Sequence, residues 1–246
     1  MAYDLSKNAG AGLDTIVSSE SMPLIKILQD LSAEIRTSHP DHEAKKIEGA
    51  KSGDLIFLKD RTLLAQPLQV IPIAQDTVYV EWKPKNQGGG VVGHHDATIV
   101  SHPDYKKDGW KESLGDNSLK YTIMVLVRFL VDGEWEQGLI SFDGGFLKKI
   151  RGWNTAIANF KYPDAMKLDF APPMFARKYE VSTEIDTNAN GDTYFSWAIK
   201  PVEGGILDPK KDEDLLNLCN QTFESRQGAL PESGATKQLV DDNNPY

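Results

Sequence analysis

Aromatic residues alternate with lysine and arginine along this chain, and that combination could bind single-stranded nucleic acid. Cations contact phosphates while flat rings stack on bases, and each stacked base contributes ~1–3 kcal/mol. Trp82 and Trp153 share apolar faces with Val78 and Ile150, so we expect both rings in the core, whereas Trp110 sits among polar residues. The pattern predicts a DNA-binding set made of Tyr79, Lys83, Lys85, Lys106, Lys107, Trp110, Lys111, Lys148, Lys149, Arg151, Arg177, Lys178 and Tyr179.

The charge is unevenly distributed along the sequence. The formal net charge is −9, which argues against a uniformly basic protein that simply coats nucleic acid. Residues 145–178 nevertheless carry seven basic and two acidic residues, whereas residues 205–246 carry four basic and eight acidic ones. We therefore expect phosphate contacts in the middle of the chain and not near its acidic end.

Residues 93–96, Gly-His-His-Asp, are the most metal-like cluster in the sequence. Neighbouring residues of a strand point to opposite faces, so His94 and His95 could ligate one ion only from a loop. His102 or Asp104 could supply a third ligand, but the established zinc spacings are absent. We expect a polar loop without metal here and keep a metal-dependent nuclease that uses this cluster as an alternative.

Other catalytic patterns are missing from the sequence. No Gly-x-Ser-x-Gly occurs, and the Gly-rich run at 88–93 lacks the Lys-Ser/Thr of a phosphate-binding loop. The single cysteine, Cys219, lies on an apolar helical face where a buried, inert thiol is expected. These features predict a protein that is not an enzyme and that needs no cofactor.

The last residues form a short acidic cluster that ends in proline and an aromatic ring. The segment Asp241-Asp242-Asn243-Asn244-Pro245-Tyr246 resembles the acidic tip of bacterial single-stranded DNA-binding proteins, with Tyr246 in the place of phenylalanine. The resemblance implies that Asp241, Asp242, Pro245 and Tyr246 recruit replication or recombination proteins. A tail that only aids solubility is the alternative.

The order of predicted elements is mainly β. We expect a flexible N-terminal arm over 1–20, one globular domain over 21–227 and a disordered acidic tail over 228–246. Apolar spacing predicts helices over 24–35 and 146–160 and around 215–219. Strands are expected over 55–58, 68–74, 77–83, 121–131, 134–142, 175–187 and 193–200. Asp132-Gly133 predicts a hairpin turn, and residues 84–118 read as a long Gly- and Lys-rich loop.

These elements predict an α+β protein that is mainly β. An antiparallel barrel of the oligonucleotide-binding (OB) type fits them, with an inserted helix, a long loop and flanking helices. A two-sheet sandwich is the alternative architecture. The strand order does not follow from the sequence.

Short motifs in the body of the chain resemble bacteriophage single-stranded DNA-binding proteins. They are the run Met22–Gln29, then Gly53-Asp54, Val80-Glu81-Trp82, Phe142-x-x-x-Phe146-Leu147-Lys148 and Trp153-Asn154. The resemblance implies an OB fold and sequence-independent binding and protection of single-stranded DNA during phage DNA replication or recombination.

The expected setting is the host cytoplasm, without a membrane partner, because the sequence has neither a secretory signal nor a long apolar run. Association with further copies of the chain is left open. A virion or assembly protein with a protein-binding β-barrel is the alternative function.

Overall fold

The structure is a computed structural model that describes residues 3–9, 11, 23–87, 89–166 and 168–227. In these residues eleven strands form one sheet. The strands are β1 Leu24–Ile27, β2 Leu55–Phe57, β3 Thr62–Leu64, β4 Leu68–Trp82, β5 Val91–His95, β6 Tyr105–Asp108, β7 Lys111–Leu114, β8 Asn117–Val131, β9 Glu134–Asp143, β10 Arg177–Thr187 and β11 Thr193–Ile206. The α-helices are α1 His42–Lys45, α2 Leu147–Ala158 and α3 Glu213–Gln227. Short 3₁₀ helices span Leu5–Asn8, Lys85–Gln87, Ala97–Ser101, Gly144–Phe146, Asp164–Met166 and Met174–Ala176.

The sheet follows the order β11-β10-β4-β8-β9-β1-β2-β3. Its pairs are antiparallel except for β1 and β9, which run parallel with Ile25 opposite Ile140. The sheet curls into a half-barrel, so the prediction of a mainly β protein is confirmed. The alternative of two packed sheets is wrong, because the strands of the described residues belong to one continuous sheet.

Side-chain amides join the two ends of the curled sheet. Gln66 Nε2 donates to the carbonyl of Gly53 at 2.8 Å, and Gln66 Oε1 accepts the backbone N–H of Thr183 at 2.8 Å. Gln29 makes a matching pair with the backbone of Phe195, donating at 2.7 Å and accepting at 3.0 Å. A carboxamide offers one donor and one acceptor group, as a peptide does. These two glutamines therefore satisfy backbone groups at edges that no strand covers there, and we call this junction the seam.

Two apolar cores lie on opposite faces of the sheet. The inner core fills the half-barrel, and α2 closes it with Ile150, Trp153 and Ile157. The outer core packs beneath α3, which contributes Leu216 and Cys219. Both faces of the central strands are thus buried, which explains the near-continuous apolar run in β8.

Two expectations from the apolar pattern are corrected at the level of elements. The helix expected over 24–35 does not form: residues 24–27 are a strand in which Ile25 and Ile27 face the inner core, and residues 28–35 form turns and irregular backbone. The pairing of this strand with β2 and β9 outweighs a helical spacing that short apolar runs mimic. The segment 84–118 is not a plain loop, because it contains β5, β6 and β7.

The other predicted elements are present. The β8–β9 hairpin turns at Asp132 and Gly133, whose φ angles are +50° and +86°. The two strands expected over 68–74 and 77–83 form the single strand β4, which bulges between Pro72 and Ala74. The bulge accommodates a proline that has no N–H for the sheet ladder.

The chain termini fall largely outside the described residues. Within the described part of the predicted flexible arm, Leu5 is 2% exposed and belongs to the outer core, so this part of that prediction is wrong. The segment 228–246 lies outside the described residues, and the acidic cluster of Asp241, Asp242, Pro245 and Tyr246 lies there too. No described helix is long and apolar enough to cross a membrane.

Candidate nucleic-acid interface

Five strands extend beyond the half-barrel and carry much of the predicted DNA-binding set. They are β5, the second half of β4, the first half of β8, β7 and β6, hydrogen-bonded in that order. We call this extension, residues 76–82, 91–95, 105–114 and 117–122, the paddle. Residues that face each other across neighbouring strands point to the same side, so the register divides the paddle into two faces.

The first face, which we call the tryptophan face, carries Trp82, Lys106 and Lys120. Lys120 Nζ lies 5.3 Å from the centre of the Trp82 ring and 3.7 Å from a carboxylate oxygen of Asp143. The register from Trp82 through Ser118 and Ser113 places Lys106 on the same side. This face thus combines the half-buried ring of Trp82 with two lysines, Lys106 and Lys120, of which Lys120 is ion-paired with Asp143.

The tip of the paddle is the turn between β6 and β7. The ring of Trp110 is 86% exposed there, and Lys111 Nζ lies 5.4 Å from its centre. Gly109 has a φ of +59°, which glycine adopts without strain and which lets the turn close in two residues. Lys106 and Lys111 are exposed and form no ion pair with any described residue. The tip therefore offers an exposed ring with one lysine over it, and Lys106 on β6 is a second exposed lysine without an ion-pair partner among the described residues.

Two further predicted lysines follow β4 at the base of the paddle. The side chain of Lys83 is exposed, and its backbone N–H donates to the carbonyl of Gly90 at 2.9 Å. Lys85 begins the 3₁₀ helix that follows, and its side chain lies outside what the structure describes.

The tyrosine face has a different electrostatic character. Tyr79 and Tyr121 pack edge to face with ring centres 5.7 Å apart. Lys107 Nζ donates to Glu112 at 2.6 Å, and this hydrogen bond raises the pKa of the lysine. Burial, followed by a hydrogen bond to Glu112, raises the pKa of Tyr105. The cation of this face is thus already neutralised by a neighbouring carboxylate.

The histidine cluster is divided between the two faces. His95 Nε2 lies 2.7 Å from Glu81 Oε2, and the other oxygen of Glu81 accepts from Asn117 at 2.6 Å. His94 lies opposite Val80 on the other face, and Asp96 accepts the N–H of Thr98 at 2.7 Å. Among the described residues, no group of three or more His, Cys, Asp or Glu side chains could hold a metal ion.

The basic helix α2 is partly neutralised as well. Lys148 Nζ lies 2.7 Å from Asp186 Oδ2, and Lys149 Nζ lies 3.3 Å from the same oxygen and bonds Glu184. Arg151 is exposed, and within the described part of the chain it has no ion-pair partner. Two of the three predicted helix cations are therefore held by carboxylates of β10.

The predicted DNA-binding residues on β10 are Arg177, Lys178 and Tyr179, and they do not belong to the paddle. Tyr179 is 2% exposed, and its ring packs 5.5 Å from that of Trp153 in the inner core. The expectation that it stacks on a base is corrected, because burial leaves no access for one. Arg177 lies over the ring of Phe160, and Lys178 lies over that of Trp135; both rings adjoin the outer core.

A cleft of about 820 Å³ lies at the seam. Its walls carry two lysines, Lys51 and Lys200, and two carboxylates, Asp54 and Glu180, while Phe195 is among its apolar lining. The mixed charges favour no single class of ligand, so we assign it no role.

The structure thus brings Tyr79, Lys106, Lys107, Trp110 and Lys111 into one paddle and separates them from the β10 group. Two residues of the paddle were missed from the sequence, Lys120 and Tyr121. They open the long apolar run of β8, and the alternation of polar and apolar residues at its start is the signal that could have found them.

The comparison with known protein families decides the family of the chain. The profile of the Pam3 phage gp34-like proteins matches residues 2–228. The chain belongs to the Pam3 phage gp34-like family. Membership in this family indicates a phage origin, as the motif resemblance led us to expect. The comparisons of this family member with curated proteins and with solved structures found no match.

Proposed function

We propose that this protein binds single-stranded DNA without sequence preference, through the paddle. The observation that carries the proposal is the tip, where the 86% exposed ring of Trp110 stands beside the exposed lysines Lys106 and Lys111. An exposed ring stacks on any base, and free cations gain more from a phosphate than cations that are already paired.

The tryptophan face is the preferred path for the strand. It carries the ring of Trp82 and Lys106, which has no ion-pair partner among the described residues, and it leads to the tip. On the tyrosine face, Glu112 holds Lys107, so a phosphate would have to replace a carboxylate at 2.6 Å. The strand therefore gains more electrostatic energy on the tryptophan face.

The wider role in this proposal is protection of single-stranded DNA during phage replication or recombination in the host cytoplasm. An OB-type barrel is the architecture that goes with this role, and a curled, largely antiparallel half-barrel with a helix against its opening supports it. The acidic segment with Asp241, Asp242, Pro245 and Tyr246 would serve replication or recombination partners and not the DNA itself.

A fluorescence titration with an oligothymidylate strand at several salt concentrations tests the proposal. The variant Lys106→Ala/Lys111→Ala should bind more weakly and should flatten the plot of log K against log salt by about 1.4, since each lost phosphate contact removes ~0.7 from the slope. The matched control is Lys210→Ala/Lys211→Ala, which removes two exposed lysines before α3. Equal slopes for both variants would remove the paddle from the DNA path.

A virion or assembly protein is the second candidate, and exposed apolar side chains favour it. Trp110 is 86% exposed and Ile185 is 69% exposed, which also suits contacts with another protein. The same titration separates the two functions, because an assembly protein would show no salt-dependent binding of the oligonucleotide at any of the concentrations.

A further inference from the structure

The first turn of α2 carries positive charge at the end of the helix that is already positive. Lys148 and Lys149 follow Leu147 directly, and this turn contains no acidic residue and has no side-chain cap. Aligned peptide dipoles place about half a positive charge at a helix N-terminus, so lysines there are unfavourable unless an anion lies nearby. A negatively charged group close to the first turn of α2 would therefore stabilise the helix.

Strand β10 supplies that negative charge. Asp186 lies 2.7 Å from Lys148 Nζ and 3.3 Å from Lys149 Nζ, while Glu184 bonds Lys149. Hydrogen bonds from Lys148, from the backbone of Thr187 and from Lys149 lower the pKa of Asp186 to about 2, against a partial opposing effect of desolvation. Asp186 is therefore ionised at neutral pH, and together with Glu184 it supplies the anionic partners of the two lysines.

The arrangement of the two carboxylates resembles two consecutive phosphates of a nucleic-acid backbone. Glu184 and Asp186 are two residues apart on an extended strand, which separates them by roughly 6.6 Å along it. Ile185 between them points to the opposite face of the strand and is 69% exposed, so only the lysines of α2 are seen against the two carboxylates among the described ion pairs. Arg151, one turn further along α2, is exposed and could extend a row of phosphate contacts.

We propose that the first turn of α2, with Lys148 and Lys149, is a second phosphate-binding site for single-stranded DNA, and that Glu184 and Asp186 occupy it as competing anions. The inference rests on the proposed function and concerns its regulation. The ion pairs are partly open to solvent, because the side chain of Lys148 is 56% exposed and that of Glu184 is 49% exposed, while Asp186 is 19% exposed. Solvent-accessible ion pairs contribute little to stability, so a DNA strand held at the paddle can displace these carboxylates when its effective concentration is high. The site then adds phosphate contacts only after the first contacts have formed.

The test is an oligothymidylate titration of Glu184→Gln/Asp186→Asn, which removes both charges and keeps the shape of the side chains. Affinity should rise by about tenfold at low salt, because the two competing carboxylates and their three ion pairs are lost. The salt slope should steepen by about 1.4 as two lysines become available to phosphates. The matched control, Glu180→Gln/Glu203→Gln, removes one charge from β10 and one from the neighbouring strand β11, and neither residue has an ion-pair partner among the described residues.

Adding Lys148→Ala/Lys149→Ala completes a double-mutant cycle. The lysine changes should weaken binding by the wild-type protein less than they weaken binding by Glu184→Gln/Asp186→Asn, since in the wild type a strand must first displace the carboxylates. In the Glu184→Gln/Asp186→Asn background they should abolish the gain and return the salt slope to the wild-type value. Equal gains in the test and control variants would overturn the inference, because net charge alone would then explain the effect.

The two proposals fail in different ways. If the wild-type protein binds the oligonucleotide but Glu184→Gln/Asp186→Asn behaves like its control, the inference is wrong and the proposed function stands. If neither binds at any salt concentration, both are wrong. Circular dichroism melting of each variant checks the fold, and the change in salt slope remains readable when a variant melts a few degrees earlier.

Discussion

At the scale of single residues, two tryptophans in opposite environments separate DNA contact from core packing. Trp110→Ala should weaken oligonucleotide binding while the free energy of unfolding changes by less than about 0.5 kcal/mol, since the ring is 86% exposed. Trp153→Ala should cost roughly 3–5 kcal/mol of stability, since the ring is 3% exposed and packs in the inner core. Urea unfolding and titration of both variants check this, and a destabilised Trp110→Ala would contradict the placement of the tip.

Two glycines with positive φ differ in what surrounds them. Gly109 has a φ of +59° with nothing within 4 Å of an added Cβ, so Gly109→Ala should cost only the strain of about 1–2 kcal/mol. Gly53 has a φ of +88°, and an added Cβ would lie 2.6 Å from the ring of Phe195 at the seam. Gly53→Ala should therefore destabilise the protein more than Gly109→Ala. Denaturant midpoints of the two variants decide this, and equal losses would show that the ring moves freely.

At the scale of elements, the ion pairs between α2 and β10 make the free energy of unfolding depend on pH in the acidic range. The pKa of Asp186 is lowered from 3.8 to about 2 in the folded protein, chiefly by Lys148. A carboxyl with a lowered folded pKa stabilises the protein above its unfolded pKa, and this contribution disappears as the pH falls towards the folded value. The difference in melting temperature between wild type and Asp186→Asn should therefore be constant above about pH 5 and shrink between about pH 4 and pH 2. A difference that does not change with pH would contradict the ion pair.

The paddle and α2 show why charged residues of one type can differ in function. Lys107 and Lys149 are both tied to carboxylates, while Lys106 and Lys111 have no ion-pair partner among the described residues. The pairing depends on strand register, since Lys107 faces Glu112 across β6 and β7. Register is a property of the assembled sheet, so the sequence pattern ranked all these lysines alike.

At the scale of the whole molecule, the acidic segment near residue 246 provides a further prediction. Deleting residues 238–246 should leave the fold intact, because the segment has no periodic apolar face. Asp241 and Asp242 repel phosphate, so oligonucleotide affinity should stay equal or rise, most clearly at low salt. Binding to a replication or recombination partner should fall, and Tyr246→Ala should reproduce much of the loss. A truncated protein that binds the oligonucleotide more weakly would show that the segment belongs to the binding site.

Local chemistry was enough to predict most elements of the body. The Asp132-Gly133 turn, the helical period of α2 and the buried thiol of Cys219 follow from residues close together in the sequence. Burial raises the pKa of that thiol to about 12, in agreement with the predicted inert cysteine. Such features depend on backbone preferences and on amphipathic spacing, which are properties of short segments.

The sequence by itself thus determined the mainly β composition, the hairpins, α2, α3 and a surface tryptophan at position 110. Only the tertiary structure decided that residues 24–27 form a strand between β2 and β9, that Tyr179 is buried, and that Glu184 and Asp186 neutralise the lysines of α2. The physical reason is the distance in sequence between partners. A helix or a tight turn is stabilised by neighbours a few residues away, whereas a parallel strand pair, a packed ring or an ion pair between α2 and β10 exists only when segments far apart in the chain are brought together.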